Sequence, residues 1–109
     1  MERTKIYYAH PVGTYGSLQE RRDLGRIARA FEEDGVEVEV VNPGDPQVQR
    51  DYKAWLKDGM GPDDHEMRFF KALVLGCDGI AYRGETPGVR YEVSKAREAG
   101  IPIVQVDRL

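Results

Sequence analysis

The sequence is short of the features that define several large protein classes. It holds one cysteine, Cys77, so no disulfide can close within the chain, and the thiol reads as a small buried apolar group in a reducing compartment. No stretch approaches the roughly 18 consecutive apolar residues of a membrane helix, and the amino-terminal MERTKIYYAH lacks the apolar core of a secretory signal. A cytoplasmic location is expected by elimination. Basic charge is not in excess either: 16 Lys and Arg against 19 Asp and Glu leave a formal net charge of −3. A nucleic acid or an anionic membrane would favour a basic face, so the expected partner is a small molecule. Repeats and low-complexity segments are also missing. At 109 residues the chain fits one domain around one core.

What is present is an alternation of strand and helix signals. Lys5–Ala9 (KIYYA) is a β-prone run that ends at His10-Pro11. Ser17-Leu18-Gln19-Glu20 reads as a capping box, with Ser17 as N-cap and Glu20 reaching back. Leu24, Ile27, Ala28 and Phe31 then fall on one stripe of a helix that Gly35 stops. Val36–Val41 alternates apolar with acidic residues, the pattern of an edge strand with one wet face. A turn at Asn42–Pro46 leads to a short helix over Gln47–Lys57, which Gly59, Gly61 and Pro62 end. Asp63 or Asp64 caps the next helix, whose Met67, Phe70, Leu73 and Val74 share a face, and Gly76 closes it. Asp78–Tyr82 (DGIAY) does not alternate and reads as a central strand. Thr86 and Pro87 are N-cap and first residue of a helix that runs to about Ala99, and the chain ends on a strand over IVQV. This order predicts an α/β fold: a single-domain Rossmann-like (flavodoxin-like) three-layer sandwich with a parallel sheet of four to five strands.

One residue is out of place in that pattern. On an ideal helix Val89, Val93, Ala96 and Ala99 occupy about a third of the circumference, and Glu92 falls inside the same arc. A carboxylate therefore points inward, in the second turn of a helix that starts beside the crevice where open parallel sheets bind ligands. The alternatives are a Glu paired with a structural arginine or one at the edge of the stripe. Gly84–Gly88 offers free backbone N–H groups and the Thr86 hydroxyl at a helix start, the chemistry of an anion site, and Gly13–Ser17 offers a second such start. His10, at the carboxyl end of the first strand, either contacts a ligand or packs. His65 stands among Asp63, Asp64 and Glu66 without a second His or Cys at ligand spacing, so helix capping explains the cluster and no metal or other cofactor is expected.

With IYYAHPV, DGIAY and PGVRYEVSKAREAGIPIV, the chain resembles the nucleoside 2-deoxyribosyltransferase superfamily, which includes nucleoside 5'-monophosphate N-glycosidases, over its whole length, 1–109. The most specific part is Gly88, Glu92, Ala96, Gly100 and Pro102 at their mutual spacing. The resemblance implies that Glu92 is a nucleophile and that a first-strand tyrosine, Tyr7, hydrogen-bonds it; Tyr8 is its neighbour, and a one-residue slip would exchange their faces. The position six before the glutamate is Asp in base-exchanging members and Ser in monophosphate hydrolases, and here it is Thr86. The aspartate that members carry eight residues ahead of the third strand's own is replaced by Phe70, leaving Asp64 or Glu66 to serve. The candidate site is therefore Glu92, Tyr7 and Asp64 for catalysis, with Tyr8, His10, Gly13, Ser17, Thr86 and Gly88 around the substrate. The implied activity is hydrolysis of a nucleoside 5'-monophosphate at its glycosidic bond, with base exchange or nucleotide sensing without turnover as the alternatives. A homodimer or larger assembly is expected from Tyr52, Trp55 and Phe69, which read as exposed aromatics.

Overall fold

The computed structural model describes residues 3–32, 37–57 and 65–109, and the side chains of 65–67 fall outside that description. The elements run β1 (Thr4–Ala9), α1 (Leu18–Glu32), β2 (Val38–Val41), α2 (Pro46–Lys57), α3 (His65–Leu75), β3 (Gly79–Tyr82), α4 (Pro87–Glu98) and β4 (Ile103–Gln105). All strand pairs are parallel, in the order β2-β1-β3-β4. This is the α/β, Rossmann-like sandwich that the element order predicts, with the acidic strand at an edge and the DGIAY strand inside. No helix among the described residues is long and apolar enough to cross a membrane.

Alternation along β1 divides the core. Ile6 and Tyr8 face α1, where they pack with Ile27, Ala81 and Val106 and with the partly buried Leu24 and Phe31. Tyr7 and Ala9 face the other way, into a cluster with Val74 of α3, Ile80, and Val89 and Ala96 of α4. The chain leaves β1 toward β2 over one face and passes from β2 to β3 over the other. The switch in direction therefore falls between the adjacent strands β1 and β3, where a crevice opens at the carboxyl ends of an open α/β sheet.

The helix ends follow from local chemistry. Ser17 Oγ accepts from the Glu20 N–H at 3.1 Å, as a capping box requires, but the Glu20 carboxylate does not reach back to the Ser17 N–H. That N–H is taken by the Thr14 carbonyl, which frees Glu20 for other partners. Thr86 caps α4 by accepting from Val89 N–H at 3.4 Å, with Pro87 next to it. At its far end Gly100 adopts φ +73, its N–H bonds the Arg97 carbonyl, and the Ile101 N–H bonds the Ala96 carbonyl. That pair of bonds is a Schellman stop, which needs a residue tolerant of positive φ. The expected stop at Gly35 and the breakers Gly59, Gly61 and Pro62 lie outside the described residues. Asp78 precedes β3 instead of joining it, and its carboxylate accepts from Lys5 N–H at 2.8 Å.

Candidate active site

A cavity of about 450 Å³ lies at the carboxyl ends of β1 and β3, with His10, Gly13, Thr86, Gly88 and Glu92 on its wall. Five of the nine residues singled out from the sequence thus meet in one place. Tyr7 stands behind them: fully buried, it donates its hydroxyl proton to Glu92 Oε2. The inward direction of Glu92, read from helix periodicity, is the one observed, with 6% of the residue exposed. Burial pushes its carboxyl up to about 8. The Tyr7 hydrogen bond works against that shift by favouring the ionised form.

Gly13 and Gly88 leave room. A Cβ built on either would meet nothing within 4 Å, so both present bare backbone to the cavity. Pro87 has no N–H and Thr86 Oγ1 takes that of Val89, which leaves the Gly88 N–H, in the first turn of α4, without an intrahelical partner. Thr86 and Gly88 together thus offer a hydroxyl and an N–H at the positive end of a helix dipole, a setting that favours an anion. Thr86 precedes Glu92 by six residues, on the order of 9 Å along the axis at 1.5 Å per residue.

The remaining residues fall elsewhere. Tyr8 points to the opposite face of the sheet, where its hydroxyl bonds Asp23; it is not on the cavity wall, because neighbours on a strand face opposite ways. Tyr8 reaches the site only indirectly, stacking on the His10 ring at 3.8 Å between centroids. Ser17 is consumed in capping α1 and is not on the wall. The neighbouring Gly16 N–H is bonded by Glu20 Oε1 at 3.1 Å, so the chain's own carboxylate occupies the second helix start expected to attract an anion. Asp64 and Asp63 lie outside the described residues.

His10 lines the cavity while both ring nitrogens are engaged. Nδ1 is 3.0 Å from the Tyr8 carbonyl and Nε2 is 2.8 Å from Glu20 Oε2. A carbonyl can only accept, so Nδ1 donates to it, and Nε2 is taken up by the Glu20 carboxylate. His10 therefore has no free nitrogen for a leaving group. The Glu20 side is closed by Gly44, where a Cβ would come within 2.5 Å of Glu20 Oε2 and 2.9 Å of the Tyr15 ring. Tyr15, half-buried above this pair, has its phenol pushed up to about 12 by burial and by the Glu20 charge.

Tyr15, Gln49, Tyr52 and Phe70 also form the wall, although the sequence does not place them at the site. Phe70 stands where the resembling family carries an acid on that helix. Among the described residues Glu92 is the sole carboxylate of the wall, and no three metal-ligating side chains converge.

Fold and site together define an α/β domain with one buried carboxylate facing a crevice at the switch in strand order. The chain matches no protein-family model and no curated protein.

Proposed function

We propose that the protein is an N-glycosidase that hydrolyses the base–sugar bond of a nucleoside 5'-monophosphate through a covalent glycosyl-Glu92 intermediate, as the family resemblance implies. The observation that carries this reading is Glu92 itself: a buried carboxylate, oriented by a tyrosine hydroxyl, facing a cavity whose far wall offers anion donors. In the first step a Glu92 oxygen bonds C1' while the C1'–N bond breaks and the base leaves with the electron pair and gains a proton. In the second, water attacks C1', the ester C–O bond breaks, the carboxylate returns, and the water proton is released. Net retention follows from two displacements. Tyr7 holds the carboxylate in line. Thr86 and Gly88 hold the 5'-phosphate, and the distance along α4 leaves space for one sugar ring between them and Glu92.

The second reading is a nucleotide sensor without turnover. Phe70 favours it, because no described carboxylate other than Glu92 is at hand to protonate the base.

The test is kcat/KM for a matched nucleoside and its 5'-monophosphate in the parent and in Thr86→Asp. The parent prefers the monophosphate, and Thr86→Asp loses monophosphate activity by about tenfold or more beyond its loss on the nucleoside, since two like charges meet in a partly desolvated site. Equal losses would remove Thr86 from the phosphate site. A rise in melting temperature with nucleotide and no product would favour the sensor.

A further inference from the structure

A second concave surface lies on the face of the sheet opposite Glu92. Its volume is about 640 Å³, and its wall is Gln19, Gly25, five arginines (Arg21, Arg22, Arg26, Arg29 and Arg83) and two aspartates, Asp23 and Asp107. The wall is thus net positive in a chain whose formal charge is −3. Arg22, Arg26 and Arg29 sit within about 60° of one another on an ideal helix, so α1 presents them as one row. Gly25 lies beside that row in mid-helix, where glycine is a poor helix former. A Cβ there would come within 3.3 Å of the Arg29 guanidinium, so Arg29 lies close over the bare backbone at this point.

One end of the groove is built rigidly. Asp23 is fully buried and accepts from Arg83 Nε at 2.6 Å and Nη2 at 2.9 Å, from Gln19 at 2.9 Å and from the Tyr8 hydroxyl. This fork fixes the Arg83 plane and leaves Nη1 pointing outward. There Nη1 meets Asp107, which is 58% exposed, at 2.9 Å, and Asp107 also stands 4.0 Å from Arg26. At this end of the groove two guanidinium groups thus share one exposed carboxylate. Arg21, Arg22 and Arg29 have no ion-pair partner among the described residues.

We propose that this groove is a binding site for a polyphosphate group, in which linked phosphates lie along Arg22, Arg26 and Arg29 and contact Arg83 at one end. Guanidinium forks match phosphate oxygens in pairs, and a row of them suits several linked phosphates better than one. The wall has no aromatic or apolar side chain to hold a base, so recognition is by the phosphates. The source is either free inorganic polyphosphate or the phosphate tail of a nucleoside triphosphate. The site does not depend on the reaction proposed at Glu92.

Calorimetric titration at low salt with inorganic pyrophosphate, ATP and orthophosphate tests this on the parent, on Glu92→Gln and on the double variant Arg22→Gln/Arg29→Gln, whose exposed side chains leave the core untouched. Pyrophosphate binds the parent and Glu92→Gln alike and binds the double variant at least tenfold more weakly. Its affinity falls as salt is raised, and orthophosphate binds more weakly than pyrophosphate. Equal affinity for pyrophosphate and ATP identifies the phosphates as the whole determinant; tighter ATP binding that still depends on the arginines makes the nucleotide the source. Absence of pyrophosphate binding overturns the proposal, as does binding lost in Glu92→Gln but kept in the double variant, or a groove that takes RNA or an acidic peptide in preference.

Discussion

Glu92 and Asp23 are both carboxylates buried against a tyrosine of β1, and their protonation is driven in opposite directions. Burial acts upward on each. At Glu92 burial prevails and the carboxyl rises to about 8. At Asp23 the hydrogen bonds from Arg83, Tyr8 and Gln19 and the guanidinium charge outweigh burial, and the carboxyl is held below its ordinary range. The consequence for Glu92 follows from linkage. Between 4.5, its ordinary value, and about 8 the folded chain keeps a proton that the unfolded chain has released, so stability falls as pH rises through that window. At pH 7 the cost is roughly 3 kcal/mol. Glu92→Gln removes it, so the variant melts above the parent at pH 8 and the two converge near pH 4. Parallel melting curves across this range would contradict the carboxyl's raised value. Under the proposed mechanism the same titration governs the rate, and kcat/KM of the parent is expected to rise toward pH 8 as Glu92 ionises.

At the scale of elements, α1 shows how far the sequence could be read. Its apolar stripe was legible because Leu24, Ile27 and Phe31 recur at helical spacing, and all three pack on the sheet. Glu20 falls inside the same arc and Asp23 about 40° beyond its edge, and both are buried with it. The test that singles out Glu92 on α4 applies to Glu20 as well, which the capping box already accounts for; Asp23 lies off the stripe, and its ion-pair partner is not nearby in sequence. That partner, Arg83, is 60 residues away at the end of β3, and only the register of β1 with β3 brings them together. The cavity wall was half legible for a related reason: glycines and caps announce themselves locally, whereas Gln49, Tyr52 and Phe70 arrive from helices whose placement the sequence does not state. Asp23→Asn tests the weight of the α1 network. Loss of a charge from a buried, multiply bonded pair leaves Arg83 without its anchor and costs on the order of 3 kcal/mol in chemical unfolding at neutral pH. Because the Asp23 carboxyl is held low, that contribution is present above its ordinary range and disappears as acid protonates it, so the variant and parent approach each other at low pH. A deficit that persists unchanged in acid would point to packing instead.

At the scale of the whole molecule, Tyr52, Trp55, Phe69 and Phe70 form one group between α2 and α3, with ring centroids 4.9 to 6.5 Å apart. Tyr52, Trp55 and Phe69, which read as exposed in the sequence, are half-buried, packed on one another and on Phe70. An apolar rim of this kind beside the cavity still suits association, and a homodimer or larger assembly is the expected state in light scattering at micromolar concentration; a fully active monomer would contradict it. The proposed glycosyl–Glu92 bond can be caught directly. The parent, mixed with excess nucleoside 5'-monophosphate, quenched in acid during turnover and digested, is examined by mass spectrometry for a pentose-phosphate ester. That ester is expected on the peptide bearing Glu92, with neither adduct nor base release in Glu92→Gln. An adduct on another residue, or base released by Glu92→Gln within about threefold of the parent rate, less than a kcal/mol in barrier, would contradict it.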